Sequence, residues 1–255
     1  MTDLNAIYVI VMRELKKFIR ERSRLVSSIA RPLIWLFMIG AGLSRLVSPR
    51  AGMPYTQFIF PGILGMTILF SAIFSSISII WDKEFGFLKE ILVAPVRRSS
   101  IVIGKALSGT IVSAIQAVIV LMVFPLIGVR LSAVQVVLAV AISLLVAFSI
   151  SCLGIVIASF YESYESFSVI MNFIVMPMFF LSGAMYPVRL LPAALRGASK
   201  LNPLTYGVDA LKNAVFTVRQ GLMRPDFSLT ADMAFLLISS AAFVFLATAL
   251  FERKQ

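Results

Sequence analysis

Long apolar runs alternate with short polar links along most of the chain, and the runs are longer than those of ordinary core helices. Phe58 to Trp81, Ile101 to Ile127, Val134 to Phe160, Phe167 to Met185 and Met233 to Phe251 each read as a membrane span, because a bilayer takes about 20 apolar residues in helix. A further span precedes them. Pro32 to Leu43 is too short alone, so it extends back over Leu25 to Ala30, with Pro32 early in the helix or at a kink. Gly40 and Gly42 permit close helix packing there. Pro49, Gly52 and Pro54 make Ser44 to Tyr55 a short external loop, and Gly128 to Ser132 is a tight turn. Pro177 marks a kink in the fifth span.

Two stretches depart from this pattern. Over residues 1–30 the period is that of an amphipathic helix. Leu4, Ile7, Tyr8, Val11, Leu15, Phe18, Ile19, Leu25 and Val26 fall on one side, with Arg13, Lys16, Lys17, Arg20 and Arg24 opposite. Such a basic helix lies in the membrane interface, or else packs on the protein's own core. It lacks the apolar core and cleavage site of a signal peptide. Arg22 falls on the apolar side, so the helix bends there or that residue meets a partner. The remainder, 31–255, forms the six-span domain. Within it, 186–229 holds two moderately apolar stretches, Leu190 to Leu201 and Thr205 to Val218, separated by Asn202-Pro203. Each is too short to cross, which fits a re-entrant hairpin in the outer leaflet or an external helical cap.

Between the second and third spans lies the most charge-dense segment, WDKEFGFLKEILVAPVRRSSIVIGKALSG, from Trp81 to Gly109. Phe85, Leu88 and Leu92 share a helical face, Lys83, Glu84, Lys89 and Glu90 surround it, and Pro95 stops the helix. A short helix of this kind over 82–98 suits a protein groove, or is an ordinary solvated loop. Arg97 and Arg98 stand where the chain re-enters apolar sequence, the cytoplasmic side by the positive-inside rule.

Sixty per cent of the 255 residues are hydrophobic and only 14% charged, the composition of an all-α polytopic membrane protein. The net charge of +11 is carried by basic clusters flanking apolar runs, so lipid headgroups rather than nucleic acid are the anionic partner. Six spans put both termini on one side. Fourteen Lys and Arg then lie inside (seven to Arg31, five from Lys83 to Lys105, Arg253 and Lys254), against nine outside. The bias favours cytoplasmic termini.

The absences are informative. There is no histidine, and the single cysteine, Cys152, lies in an apolar run. GxxxxGK[ST] is matched only by the Gly104-Lys105-Ala106 fragment, so the chain is expected to hold no ATPase site. No HExxH, GxSxG or metal-spaced carboxylate set is present, hence neither catalytic residues nor a metal site are expected. No Asp, Glu or Arg lies deep in spans two to six; Lys105 sits near a span end, where it is expected to snorkel. Without paired midplane charges or broken helices, ion-coupled transport is disfavoured and the energy comes from another polypeptide.

The charge-dense segment Trp81 to Gly109, a cytoplasmic handle on the membrane domain, together with SGAMYPVRLLPAALRGASKLNPLTYGVDALKNAVF before the last span, resembles the permease subunit of type-2 ABC exporters. The daunorubicin-resistance and nodulation lipo-oligosaccharide exporters are the nearer relatives, the O-antigen and teichoic-acid exporters the more distant. The resemblance covers nearly the whole chain. It implies a dimer of permease chains, identical or not, with two separate ATP-binding subunits that hold ATP and Mg, in the cytoplasmic (inner) membrane. It also implies that the handle is the coupling helix, with Glu84, Phe85, Gly86, Leu88, Lys89 and Glu90 in or beside the ATPase contact and Arg97 and Arg98 supporting it. Asn202, Pro203, Tyr206 and Gly207 would form the hinge of an outer gate.

Trp35, Phe37, Phe173, Met176, Phe179 and Phe180 are candidates for a lipid-facing conduit, although at helical spacing they fit packing equally. The cargo expected is a hydrophobic drug or lipid-like amphiphile, with a lipid-linked polysaccharide or lipo-oligosaccharide as the alternative. A scaffold that recruits a cytoplasmic partner without transport is a reading of another class.

Overall fold

A computed structural model describes residues 3–51, 55–87, 93, 96–129, 131–216 and 224–252. Among these every regular element is helical, and the chain is an all-α polytopic membrane protein. Five helices are long and apolar enough to cross a bilayer: Tyr55–Glu84, Arg98–Ile127, Ala133–Phe160, Tyr164–Leu181 and Leu229–Glu252, with Ala30–Ser44 a shorter apolar stretch.

Helix α1 (Asp3–Arg20) is followed after one residue, Glu21, by α2 (Arg22–Ala51), so the chain does break where Arg22 interrupts the apolar pattern. The 30 residues of α2 outrun its apolar stretch. Its backbone stays helical through Ser44 to Ala51, where an external loop is predicted from Pro49. Helix bonding is internal to the segment and needs no apolar partner.

At the centre is α3 (Tyr55–Glu84), buried along almost its whole length. It packs against α2, α4 (Arg98–Leu121), α5 (Ala133–Phe160) and a later helix, Pro203–Val215. Close approach is built into its sequence. A Cβ on Gly62 would collide with the backbone of Ala184, and one on Gly65 would lie 2.6 Å from Val208. Two buried hydroxyls bond within their own helix: Thr67 donates to the Ile63 carbonyl and Ser76 to that of Ile73. The serine-rich half of this span is therefore interior, not a polar surface.

After α4 a 3-10 turn, Phe124–Ile127, leads to Gly128 at φ +79 and then to Ser132, which caps α5 in a reciprocal pair with Gln135. Helix α6 (Tyr164–Ile170) continues through a π-helical turn, Met171–Val175, into α7 (Met176–Leu181). The wider π turn lies just before Pro177, whose missing N–H and bulky ring disrupt α-helical bonding. Much of this span is exposed.

The segment before the last span is helical, as predicted, with the break at Asn202. Helix α8 (Ala193–Leu201) is exposed apart from Ser199, whereas α9 (Pro203–Val215) is buried at every position. It packs on α3, α5 and α10 (Leu229–Glu252). Asn202 joins the two helices: its Oδ1 accepts the Leu204 N–H at 3.0 Å, and its Nδ2 donates to the Met178 carbonyl at 2.7 Å.

Because Ala184 meets Gly62 through its backbone, no side-chain rotation makes room there. Gly62→Ala is expected to cost about 1–3 kcal/mol, read as a thermal midpoint several degrees lower in detergent. Gly42→Ala, with no atom within 4 Å of the new Cβ, is expected to leave the midpoint unchanged or higher.

Candidate functional site

Four charged groups at the handle end of the helices form one network. Lys105, on α4, is predicted to snorkel; instead it is 6% exposed and its ammonium points inward. It donates to Glu14 Oε1 at 2.7 Å, to Asp82 Oδ2 at 2.6 Å and to Ser78 Oγ at 3.0 Å. All three hydrogens of the ammonium are thus used. Arg13 closes the group with an ion pair to Asp82 and a second to Glu14 at 3.4 Å. Two carboxylates and two cations, drawn from α1, α3 and α4, balance charge, with Glu14, Asp82 and Lys105 buried and Arg13 partly exposed at the edge.

Around this group the contacts spread outward. The Lys17 ammonium lies 4.0 Å from the Trp81 ring centroid, and the Arg13 guanidinium 4.5 Å from that of Phe87. Burial pushes Lys17 below its ordinary value, against the opposite pull of Glu14, Glu21 and Asp82. Lys83 donates to the carbonyls of Ala158, Ser159 and Tyr161 at 2.7, 3.2 and 2.9 Å, capping the C-terminus of α5 where a cation is favoured. Asp3, at the start of α1, accepts from the Arg97 amide and the Ser100 hydroxyl and pairs with the Arg97 side chain at 3.5 Å. Both flanks of the handle are therefore tied to α1.

Helix α1 presents three faces rather than two. Ala6, Glu14 and Phe18 are buried on the protein, with Ile10 half-buried between them. Leu4, Tyr8 and Ile19 form an exposed apolar stripe beside it, and Lys16 and Arg20 are exposed on the third side. Packing on the protein and an outward apolar stripe thus coexist. The sequence misses Glu14 as an interior residue because its partner is 91 positions away.

Of the predicted contact residues, Glu84 closes α3 and is exposed, and Phe85 is 81% exposed in the turn that follows. Gly86 takes φ +75, with its N–H on the Lys83 carbonyl at 3.0 Å. This left-handed C-cap ends α3. Leu88, Lys89 and Glu90 lie outside the described residues. Arg97 is mostly exposed and Arg98 begins α4.

The predicted hinge residues are packed. Tyr206 stacks on Phe235 with centroids 3.8 Å apart and on Phe227 at 5.0 Å, and donates to the Lys200 carbonyl. A Cβ on Gly207 would lie 2.8 Å from Val146. Pro203 opens α9, where its missing N–H costs nothing. Nearby, Asp209 accepts the amides of Asp226 and Phe227, both at 2.8 Å, and the buried Lys212 donates to the Gly183 carbonyl at 2.6 Å.

The six aromatic and methionine candidates divide. Phe179 is buried with its ring edge-on to Trp35, Phe37, Phe173 and Phe180 are exposed, and Met176 is half-buried. None of them lines the cavity of about 270 Å³ between α2, α3, α4 and α6, whose walls include Arg31, Phe70, Ser71, Phe74, Trp81 and Gln116.

Apolar helices long enough to cross a bilayer, joined to a polar, charge-wired end, define an integral membrane protein. The family model for the ABC-2 type transporter matches residues 5–216, and the chain belongs to that family. Transport permease ycf38 of Cyanophora paradoxa is 29% identical over 214 residues, 82% of this chain and 73% of that one. Nodulation protein J of Rhizobium leguminosarum bv. trifolii is 26% identical over 247 residues, 90% and 86%. The chain is accordingly a multi-pass ABC transporter permease subunit, and its family implies an ATP-binding partner subunit.

Lys105→Met leaves Glu14 and Asp82 with Arg13 as their one remaining cation and is expected to cost about 3–5 kcal/mol, read by unfolding in detergent. Adding Glu14→Gln removes the excess charge, keeps the Arg13–Asp82 pair and is expected to restore most of that loss.

Proposed function

We propose that this chain is the permease half of an ATP-driven exporter, in which nucleotide-driven closure of separate ATP-binding subunits pushes on the handle and, through it, on α3 and α4. The observation that carries this reading is the contrast at the end of α3. Phe85 projects outward, while three residues earlier Asp82 is locked to α1 and α4 by buried ion pairs. An exposed aromatic anchor ringed by charge suits a groove on a partner. A rigid base beneath it transmits displacement where a flexible loop absorbs it.

In this reading both termini face the cytoplasm, two permease chains pair, most simply as a homodimer, and the partner subunits bind ATP and Mg. Asn202, Pro203, Tyr206 and Gly207 belong to the outer gate, which dips into the outer leaflet. The cargo is a hydrophobic drug or lipid-like amphiphile. The spans carry many large apolar side chains and little charge, which suits such a molecule better than a small ion.

The test is ATP hydrolysis by the co-purified nucleotide-binding subunit in lipid vesicles, with this chain native, omitted, or carrying Glu84→Ala and Phe85→Ala together. The expected outcome is hydrolysis that depends on the chain and a loss of stimulation of about tenfold in the double variant, the scale of an interface hot spot. Partner binding with turnover indifferent to both changes would favour a scaffold instead.

A further inference from the structure

Three carboxyl groups lie close together where α10 begins, and they are unequally provided for. Asp209, on α9, takes the amides of Asp226 and Phe227 on its two oxygens, both at 2.8 Å. Asp226, between α9 and α10, takes the amides of Val188 and Arg189 at 2.9 and 3.1 Å and pairs with the Arg189 guanidinium at 3.3 Å. Asp232, in the first turn of α10, is fully buried, and its Oδ2 receives the Asn213 side-chain amide at 3.3 Å. The same amide reaches the Phe227 carbonyl at 3.4 Å, which ties Asp232 to the segment that covers Asp209. Its other oxygen, Oδ1, has no hydrogen-bond partner among the described residues.

No cation among the described residues pairs with Asp232. The buried Lys212 ammonium is turned to the Gly183 carbonyl, and Arg189 to Asp226 and the Arg224 carbonyl. The Tyr206 hydroxyl is committed to the Lys200 carbonyl, while its ring stacks between Phe227 and Phe235. Of the other helices packed on α10, α5 carries no charged residue, and the charged residues of α4, Arg98 and Lys105, stand at the handle end. Glu252 is at the far end of α10 itself.

Asp209 and Asp226 are suited to be anions, because N–H donors match both oxygens of each. An ionised Asp232 would instead hold a charge out of water with one oxygen bare, beside two other carboxylates. The positive end of α10 favours an anion, but weakly, and no amide of that turn bonds Oδ1. A neutral acid avoids the charge, keeps Oδ2 as the acceptor for Asn213, and leaves unmatched only an O–H, which costs less than an unmatched charge.

We infer that Asp232 is a proton-binding site, a neutral acid while α9 and the segment Arg224 to Ser228 are seated over it, which releases its proton to water when they lift. The Oδ1–H bond breaks, its electron pair stays on the carboxylate and water takes the proton; reseating reverses the step. Acid therefore holds this cap closed and alkali favours its opening. That the cap is an outer gate rests on the exporter reading, whereas the proton site stands without it.

The test compares the native chain with Asp232→Asn, which mimics the neutral acid, in detergent from about pH 5 to about pH 9. The native protein is expected to show the infrared carbonyl band of a neutral carboxylic acid at neutral pH, and the variant to lack it. A group neutral when folded and ionised when unfolded loses stability as pH rises. The folding constant of the native chain is thus expected to fall relative to that of the variant by up to about tenfold per pH unit. Release is read at Ala210, fully buried on α9. With Cys152→Ala removing the single native cysteine, Ala210→Cys is expected to react with a charged maleimide faster than in the Asp232→Asn background, by a ratio that grows with pH. A native spectrum without a neutral-acid band at neutral pH overturns the inference, whether or not the variant folds. A stability ratio that is constant or rises with pH overturns it too, and equal labelling in both backgrounds at every pH overturns the release step. None of these readouts uses ATP hydrolysis, so the exporter reading fails or stands separately.

Discussion

An ammonium group out of water must be matched on every side, and the arrangement of this end of the molecule follows from how Lys105 meets that demand. Its three hydrogens reach α1 and, twice, α3 from a position on α4. Removing any carboxylate leaves an uncompensated charge, so the three helices hold one relative position or lose several kcal/mol. An apolar contact tolerates sliding; this one does not. The same logic extends to Lys83, which anchors the end of α3 to the last carbonyls of α5. Helix ends that in a plain bundle would fray are thereby assembled into a single body, and a push on the handle is a push on all of them.

Much of the architecture is legible in the hydropathy pattern, for a physical reason. A bilayer-spanning helix must satisfy its own backbone and meet an apolar surround, so span positions are written locally, residue by residue. The boundaries of α5 are accurate to a residue or so because Ser132 and Gln135 also spell out a cap. Asn202-Pro203 is as clear, since the side chain of Asn202 and the missing N–H of Pro203 both favour a helix start. Where the pattern misleads, non-local partners decide. Lys105 resembles a snorkelling lysine until Glu14, 91 residues earlier, is brought beside it. Glu14 resembles a solvated acid on the edge of an amphipathic helix. The end of α2 shows the reverse case, in which proline and small residues mark a loop and the backbone remains helical.

The candidate site is legible in its outline and not in its mechanics. Charge density and amphipathic spacing locate the handle, while Glu84 and Phe85 are named as contact residues by the family resemblance. Neither hints that Gly86 closes α3 with a left-handed cap, or that Asp3 ties the far end of the segment, at Arg97, to α1. The cavity wall is less legible still. Ser71 and Gln116 read as ordinary span residues, and only the juxtaposition of α3 with α4 brings both to the wall of one cavity. The aromatic and methionine residues singled out by type alone lie elsewhere, because aromatic content identifies lipid contact and core packing as readily as a conduit.

The complete burial of α9 bears on how the chain is made. Its polar residues Asp209, Lys212 and Asn213 are covered by α3, α5 and by α10, which leaves the ribosome after it. Until α10 is inserted, this short helix has no third wall, and Asn213 lacks the carboxylate of Asp232 to which it donates. The first five apolar segments can enter the membrane in order of synthesis, but the middle of the molecule closes only when the last is in place. The packing around α9 is therefore completed only with α10.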